Sequence, residues 1–326
     1  MDTGLRHTVL LQPRVWRPGS PEEAWSLKHT FGTDGVYISG GTLLRTQWES
    51  GAAAVPAHLI DLSGIGGISG ISAAAGHMTI GALTLLAALR KDSSIALHFP
   101  LLTEAVRSIA APSIRNLGTI GGNVVSSVGD AIPALLVYGA ELAMYDGGRT
   151  TDVPIADWLT DGGSCPPSNR QSPPHQLLLQ IKLPFERSGD SAKGDGGNGH
   201  PLPQPAKRFG AFHKIGRREA FTPSVVTAAV SGGLAKDGRI HGLRIAAGGG
   251  QTVPRRLTEA ESVLEGKRPE PDALAALYEA VLAQYKPCGD SFADADYRRT
   301  TAANVIAASL WRGAGGARGE EEEACC

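Results

Sequence analysis

Cysteine is scarce in this 326-residue chain, which has only Cys165, Cys288, Cys325 and Cys326. No two of them form a CxxC pair, so the sequence does not predict a zinc site or an iron–sulfur cluster in this chain. Low cysteine usage favours a reducing, cytoplasmic location over an oxidising one.

Long apolar runs are also missing. No stretch approaches the roughly 18 consecutive apolar residues of a membrane-spanning helix, and residues 1–16 make a poor signal peptide because their apolar core is short. The charges nearly cancel, with 31 Lys and Arg against 32 Asp and Glu and a net charge of -1. We therefore expect neither nucleic acid nor an anionic membrane as a partner.

Several motifs of nucleotide-binding and catalytic proteins do not occur. The sequence has no GxxxxGK[ST] loop, no GxSxG elbow and no HExxH helix. The run GIGGIS (64–69) comes near the dinucleotide fingerprint GxGxxG, but it has Ser69 at the third glycine position. Because no clear strand precedes this run and no helix follows it, we exclude a Rossmann loop.

Glycine, in contrast, is abundant, with 42 residues in the chain. Two Gly-Gly pairs follow apolar runs, in SGGT (39–42) and in TIGGN (119–123), and the second lies in IRNLGTIGGNV, which has the pattern of a strand. Strand ends of this kind leave backbone N–H groups free to converge on an anion, with Thr42, Thr119 and Asn123 as added side-chain donors. Each pair alone is more typical of a turn or bulge than of an anion site.

Two charged residues are further candidates. Lys214 in HKIGRR alternates with Phe212 and Gly216, so it could point inward at an anion or an electron-rich ring, whereas Arg217 and Arg218 fit a solvated face. Asp130 precedes a predicted helix, where it could serve either as the N-cap or as a ligand contact.

Strand and helix patterns alternate in both halves of the chain, which predicts an α+β fold. Ser20-Pro21-Glu22-Glu23 signals a helix start, and later helical patterns cover residues 255–265, 272–285 and 294–312. The predicted divisions are a first domain over 1–185, a flexible linker over 186–206, a second domain over 207–312 and a disordered tail over 313–326.

The order of SGGTLL, IDLSGI, MTIGALTLLAAL, PLLTEAVRSIAAPSIRNLGTIGGNV, LLLQIKLPF and FHKIGRR resembles the FAD-binding medium subunit of molybdenum hydroxylases. This family includes the flavoproteins of xanthine dehydrogenase and carbon monoxide dehydrogenase. The resemblance covers roughly residues 10–312 and is most specific in RNxGTIGGN. It implies a two-part FAD-binding domain of the vanillyl-alcohol-oxidase (PCMH) type, followed by a small α+β C-terminal domain like that of carbon monoxide dehydrogenase flavoproteins.

The resemblance also implies how the FAD is held. Residues 38–44 would wrap the diphosphate through backbone N–H groups, and residues 119–123 would form the other half of the cradle. An apolar contact, a residue against the isoalloxazine and a lysine at its polar edge complete the set. The implied contacts are Ile38, Ser39, Gly40, Gly41, Thr42, Leu43, Leu44, Ile109, Thr119, Ile120, Gly121, Gly122, Asn123, Asp130, Leu178 and Lys214. None is implied to be catalytic, and the spacing from Asn123 to Asp130 is shorter than the family commonly has.

By the same resemblance, the chain would carry electrons within a heterotrimer. A large subunit with a molybdenum cofactor would oxidise the substrate, and a small 2Fe-2S subunit would pass electrons to the FAD and on to NAD⁺ or another acceptor. Two alternatives remain open: a free-standing flavin oxidoreductase of the same fold, and a non-catalytic nucleotide-binding assembly protein. Another chain would determine the substrate of the complex, which could be a purine, a heteroaromatic compound, an aldehyde or CO.

Overall fold

The computed structural model describes residues 12–160, 176–185, 206–217 and 223–313. The N-terminal part is a parallel three-stranded sheet, with β3 between β1 and β2. Its elements in chain order are β1 (Arg14–Trp16), α1 (Pro21–Phe31), β2 (Gly35–Ile38), α2 (Thr42–Glu49) and β3 (His58–Asp61). The predicted helix start is confirmed, because the Ser20 hydroxyl accepts a hydrogen bond from the Glu23 N–H and Pro21 follows as the first helical residue.

The central part is a five-stranded antiparallel sheet in the order β4-β5-β8-β6-β7. Its strands are β4 (Ile71–Ala74), β5 (His77–Gly81), β6 (Glu141–Tyr145), β7 (Thr150–Pro154) and β8 (Leu177–Pro184). Short helices follow β5 and β7: α3 (Leu86–Lys91), α4 (Ser93–His98), α5 (Pro100–Ser108), α6 (Pro112–Arg115), α7 (Ile120–Val125), α8 (Ile132–Val137) and α9 (Ile155–Thr160).

The C-terminal part is a four-stranded antiparallel sheet with three helices after it. These elements are β9 (Lys207–Gly216), β10 (Ser224–Leu234), β11 (Ile240–Gly249), β12 (Thr252–Arg256), α10 (Thr258–Leu264), α11 (Pro271–Gln284) and α12 (Ala295–Gly313). No helix among the described residues combines the length and the apolar character that a membrane crossing requires.

The central and C-terminal parts share one apolar core. All six residues of α8 are buried, and Phe212, Ala229, Ala246 and Val253 of the C-terminal sheet join the core cluster that contains them. Because apolar burial stabilises a fold by roughly 25 cal/mol per Å², this shared core holds the C-terminal sheet against the central helices.

Two of the predicted secondary-structure elements are wrong. The TIGGN segment is not a strand, because Thr119 caps α7 and both glycines lie in the first turn of that helix. The helix predicted over 255–265 begins only at Thr258, since Arg255 and Arg256 pair with β11 as part of β12. Apart from Ala206, the predicted linker lies outside the described residues, as does the predicted tail after Gly313.

Candidate functional site

The first glycine pair connects β2 to α2. Gly41 is the N-cap of α2, with a left-handed φ of 63° and no side-chain hydrogen bond that caps the helix. Within the described part of the chain, the N–H groups of Thr42, Leu43 and Leu44 donate no hydrogen bond. The N-terminus of a helix attracts anions through such free N–H groups and through the helix dipole. This turn is therefore suited to a phosphate.

The second glycine pair is arranged differently. The Gly121 N–H donates to the Ala82 carbonyl at 2.8 Å, and a Cβ on Gly121 would lie only 2.6 Å from that same oxygen. The N–H groups of Ile120, Gly122 and Asn123 also have acceptors within the protein. Gly121 is thus required for close packing against the chain after β5, and the N–H donors of this segment are already used.

The two glycine segments meet in space. A Cβ on Gly40 would lie 2.0 Å from the Leu117 carbonyl oxygen, so the two backbones are in contact. Beside that contact, the Ser39 and Thr119 hydroxyl oxygens are 3.0 Å apart. We call residues 39–42 together with 117–122 the glycine junction. The glycine junction combines the start of α2, where the N–H groups are free, with the hydroxyls of Ser39 and Thr119.

Asn123 connects the glycine junction to a buried ion pair. Its Oδ1 accepts a hydrogen bond from the Ala131 N–H at 3.1 Å. Ala131 directly follows Asp130 in the chain. The Asp130 Oδ2 lies 2.8 Å from the Lys214 Nζ, and both side chains are largely buried. The alternative N-cap role of Asp130 is wrong, because Ala131 is the N-cap of α8 and carries no capping side-chain bond.

Two more groups hold this ion pair. The Ser224 hydroxyl donates to Asp130 Oδ1 at 2.7 Å, and the Lys214 ammonium donates to the Ser108 carbonyl at 3.1 Å. Ser108 precedes Ile109, which lies at the end of α5. Lys214 and Ser224 belong to the C-terminal sheet, so the cluster brings together residues distant in sequence.

Comparison with known proteins shows the family of the chain. The family model described as the FAD binding domain in molybdopterin dehydrogenase matches residues 11–186, more than half of the chain. The chain belongs to this family. A second model, the CO dehydrogenase flavoprotein C-terminal domain, matches residues 211–311.

Two curated relatives agree with this assignment. The carbon monoxide dehydrogenase medium chain of Afipia carboxidovorans is 29% identical over 303 residues, which are 91% of this chain and 94% of the relative. The xanthine dehydrogenase FAD-binding subunit of Escherichia coli O157:H7 is 28% identical over 246 residues, 74% of this chain and 76% of the relative.

A solved structure shows the same fold. The structure of carbon monoxide dehydrogenase from Hydrogenophaga pseudoflava matches with a TM-score of 0.79 and 24% identity, covering 93% of this chain and 97% of the matched chain. The predicted α+β fold with a PCMH-type FAD domain is confirmed, and so is the resemblance to molybdenum hydroxylase flavoproteins. As a member of this FAD-binding family, the chain is a subunit of an FAD-dependent oxidoreductase.

The residues present fit FAD in two respects. Free N–H groups at the start of α2 suit a diphosphate, and the glycine at position 40 lets the second segment approach without a side chain between them. Two predicted apolar contacts, Ile109 and Leu178, are buried in the main core cluster. The individual FAD contacts stay predictions.

Sequence reasoning did not select Arg115, although it lies in the RNxGTIGGN motif. Its guanidinium donates to the carbonyls of Ile109 at 2.5 Å and Ala110 at 2.6 Å. Ala110 has a φ of 42°, which is strained for a residue other than glycine. Arg115 therefore stabilises the turn that follows Ser108, whose carbonyl accepts from Lys214. The position of Arg115 within RNxGTIGGN is the sequence signal that could have identified it.

Proposed function

We propose that this chain is the FAD-carrying subunit of a multi-subunit molybdenum hydroxylase, the subunit that conducts electrons. Partner subunits would carry the molybdenum cofactor and the 2Fe-2S clusters, and the final acceptor would be NAD⁺ or another oxidant. The relatives that match across most of the chain support this proposal, because both the carbon monoxide dehydrogenase and the xanthine dehydrogenase relatives are single subunits of larger enzymes.

The observation that carries the proposal is the glycine junction. The start of α2 would bind the FAD diphosphate through the N–H groups of Thr42, Leu43 and Leu44, and the hydroxyls of Ser39 and Thr119 would bind beside it. The second segment would contribute its hydroxyl and its glycine surface rather than N–H donors, because its N–H groups are bonded within the protein. The remaining proposed contacts in these segments are Ile38, Gly40, Gly41, Ile120, Gly121, Gly122 and Asn123.

The cluster of Lys214 and Asp130 would lie at the polar edge of the ring, with Ile109 and Leu178 as apolar contacts. When bound, FAD would supply electron transfer from donors that give one electron at a time to an acceptor that takes two. The protein's part is to hold a positive charge at Lys214, where it would favour negative charge on the reduced ring. Asp130 and the Ser108 carbonyl keep the ammonium in place.

We also propose the domain division over residues 1–185 and 207–312, and a cytoplasmic location. The two family models support the division because they end and begin near the same positions. The low cysteine content supports a reducing compartment, whereas the disulfide at Cys288 is more typical of an oxidising one.

The test is co-expression of the chain with the products of neighbouring genes, followed by purification and flavin, iron and molybdenum analysis. We expect a complex in which FAD is on this chain, which is yellow by itself, while iron and molybdenum are on the other chains. Purified alone, the chain should bind FAD but turn over no single organic substrate. Turnover by the isolated chain would support a free-standing flavin oxidoreductase instead, and a chain without flavin, alone and in the complex, would support a non-catalytic assembly protein.

A further inference from the structure

Ser224, in the C-terminal sheet, forms a hydrogen bond with the buried ion pair of Asp130 and Lys214. It is the first residue of β10, it is only 6% exposed, and its hydroxyl donates to Asp130 Oδ1 at 2.7 Å. The other carboxylate oxygen of Asp130 faces Lys214 at 2.8 Å. Each oxygen of the carboxylate therefore has its own donor, and Ser224 fixes the rotation of the group.

A bulge in the strand directs this hydroxyl toward Asp130. Ser224 pairs with Gly216 and Val226 pairs with Ile215, so Val225 is an extra residue in the ladder between β10 and β9. Bulges increase the local twist of a strand and redirect the side chains beside them. In this strand the irregularity falls next to Ser224.

The bulge is held from behind by a fully buried arginine. Arg298 is 0% exposed, its Nη1 donates to the Val225 carbonyl at 2.5 Å, and its Nη2 lies 2.6 Å from Asp290 Oδ2. A buried guanidinium of this kind is stable only with its charge partner and acceptors in place. The arginine thus anchors the backbone next to Ser224.

Two glycines make room for that anchor. A Cβ on Gly249 would lie 2.6 Å from the Val225 carbonyl oxygen, and a Cβ on Gly250 would lie 2.3 Å from the Arg298 Nη1. The Gly250 N–H also donates to the Ser224 carbonyl at 2.8 Å. The backbone on both sides of the bulge is therefore fixed by specific contacts.

We propose that Ser224 is a positioning residue of the FAD site, supplied by the C-terminal sheet. Its hydroxyl holds Asp130 so that the carboxylate orients the Lys214 ammonium, and it offsets part of the carboxylate charge. The ammonium then retains more of its favourable effect on a reduced, negatively charged ring. This proposal rests on the proposed function, because it requires FAD beside Lys214.

The experiment uses the full chain with FAD and measures the FAD content, the visible spectrum and the midpoint potential of the bound flavin. The Ser224→Thr and Ser224→Val variants have nearly the same volume and differ in the hydroxyl. Ser309→Ala is the control, because Ser309 is also 6% exposed but bonds to the Val305 carbonyl within α12.

We expect Ser224→Val to keep its FAD but to show a lower midpoint potential and an altered spectrum. Ser224→Thr should stay close to the wild type, and so should Ser309→Ala. Equal potentials for Ser224→Val and Ser224→Thr would overturn the positioning role while leaving FAD binding intact. A wild-type chain that takes up no FAD would instead reject the proposed function, and this proposal with it.

Discussion

The hydroxyl oxygens of Ser39 and Thr119 lie 3.0 Å apart, although 80 positions separate the two residues in the chain. Ser39 follows β2, and Thr119 is the N-cap of α7, where its oxygen accepts from the Gly122 N–H at 3.1 Å. The contact therefore joins the loop that leads into one helix to the cap of another. It defines the geometry of the glycine junction.

This contact predicts energetic coupling between the two hydroxyls. Thr119→Ala removes the helix cap as well as the contact and should destabilise the protein by about 1 to 2 kcal/mol, while Ser39→Ala should cost about 1 kcal/mol. In the double variant the two effects should fall short of their sum, as measured by urea unfolding. Ser50→Ala, which removes an exposed local bond, should add to Thr119→Ala without coupling. Strict additivity of Ser39→Ala and Thr119→Ala would contradict the shared bond.

Gly40 should tolerate no side chain. In Gly40→Ala the new Cβ would lie 2.0 Å from the Leu117 carbonyl oxygen, so the two segments must separate, and we expect FAD affinity to fall at least about tenfold, which is 1.4 kcal/mol. Gly66→Ala is the matched control, because nothing lies within 4 Å of a Cβ at that position. Fluorescence titration with FAD measures both, and an unchanged affinity in Gly40→Ala would exclude close backbone contact as a condition for binding.

The Lys214–Asp130 pair should depend on both partners. Lys214→Met leaves a largely buried carboxylate without its cation, and we expect a loss of about 3 to 5 kcal/mol in the free energy of unfolding. The double variant Lys214→Met with Asp130→Asn should lose less than Lys214→Met alone, because no unpaired buried charge remains. Denaturant unfolding of the apoprotein at pH 7 measures this. A double variant less stable than Lys214→Met would rule out the ion pair as the cause.

Low pH should weaken the ion pair between Asp290 and Arg298. Burial by itself would raise the pKa of this carboxyl, but hydrogen bonds from the Phe292 and Ala293 N–H groups and the Arg298 guanidinium outweigh it and lower the pKa below 3.8. A lowered carboxyl pKa contributes stability above about pH 4 that is lost as the pH falls through the folded-state pKa. Asp290→Asn should therefore cost about 2 to 4 kcal/mol at pH 7 and progressively less below pH 4.

The control for that experiment is Asp296→Asn. Asp296 is ion-paired with Arg299 at the start of α12, the helix that carries Arg298, but the Asp296 side chain is 82% exposed. Exposed pairs contribute at most about 1 kcal/mol. Chemical unfolding from pH 3 to pH 7 compares the two variants. A difference between wild type and Asp290→Asn that does not shrink toward pH 3 would contradict the lowered pKa.

Local signals in the sequence were sufficient for much of the fold. Ser20 and Pro21 mark the start of α1, and the glycine pair at positions 40 and 41 marks the point where the chain leaves the strand β2; the helix α2 that follows was not predicted. These features depend on hydrogen bonds and side-chain periodicity within a few residues. The two glycine segments were located from their residues alone, and the family resemblance, most specific in the continuous string RNxGTIGGN, then assigned them to FAD.

Tertiary structure decided the rest. Only packing shows that Gly121 contacts the Ala82 carbonyl, and only the structure shows that Thr119 caps a helix in TIGGN where the apolar pattern predicted a strand. Strand pairing with β11 sets the late start of α10. The contacts of Asp130 with Lys214 and Ser224 form where the C-terminal sheet packs against the central helices. The sequence by itself determined which residues could hold a flavin, and the packing of distant segments decided how they meet, because those contacts have no local periodicity to predict them.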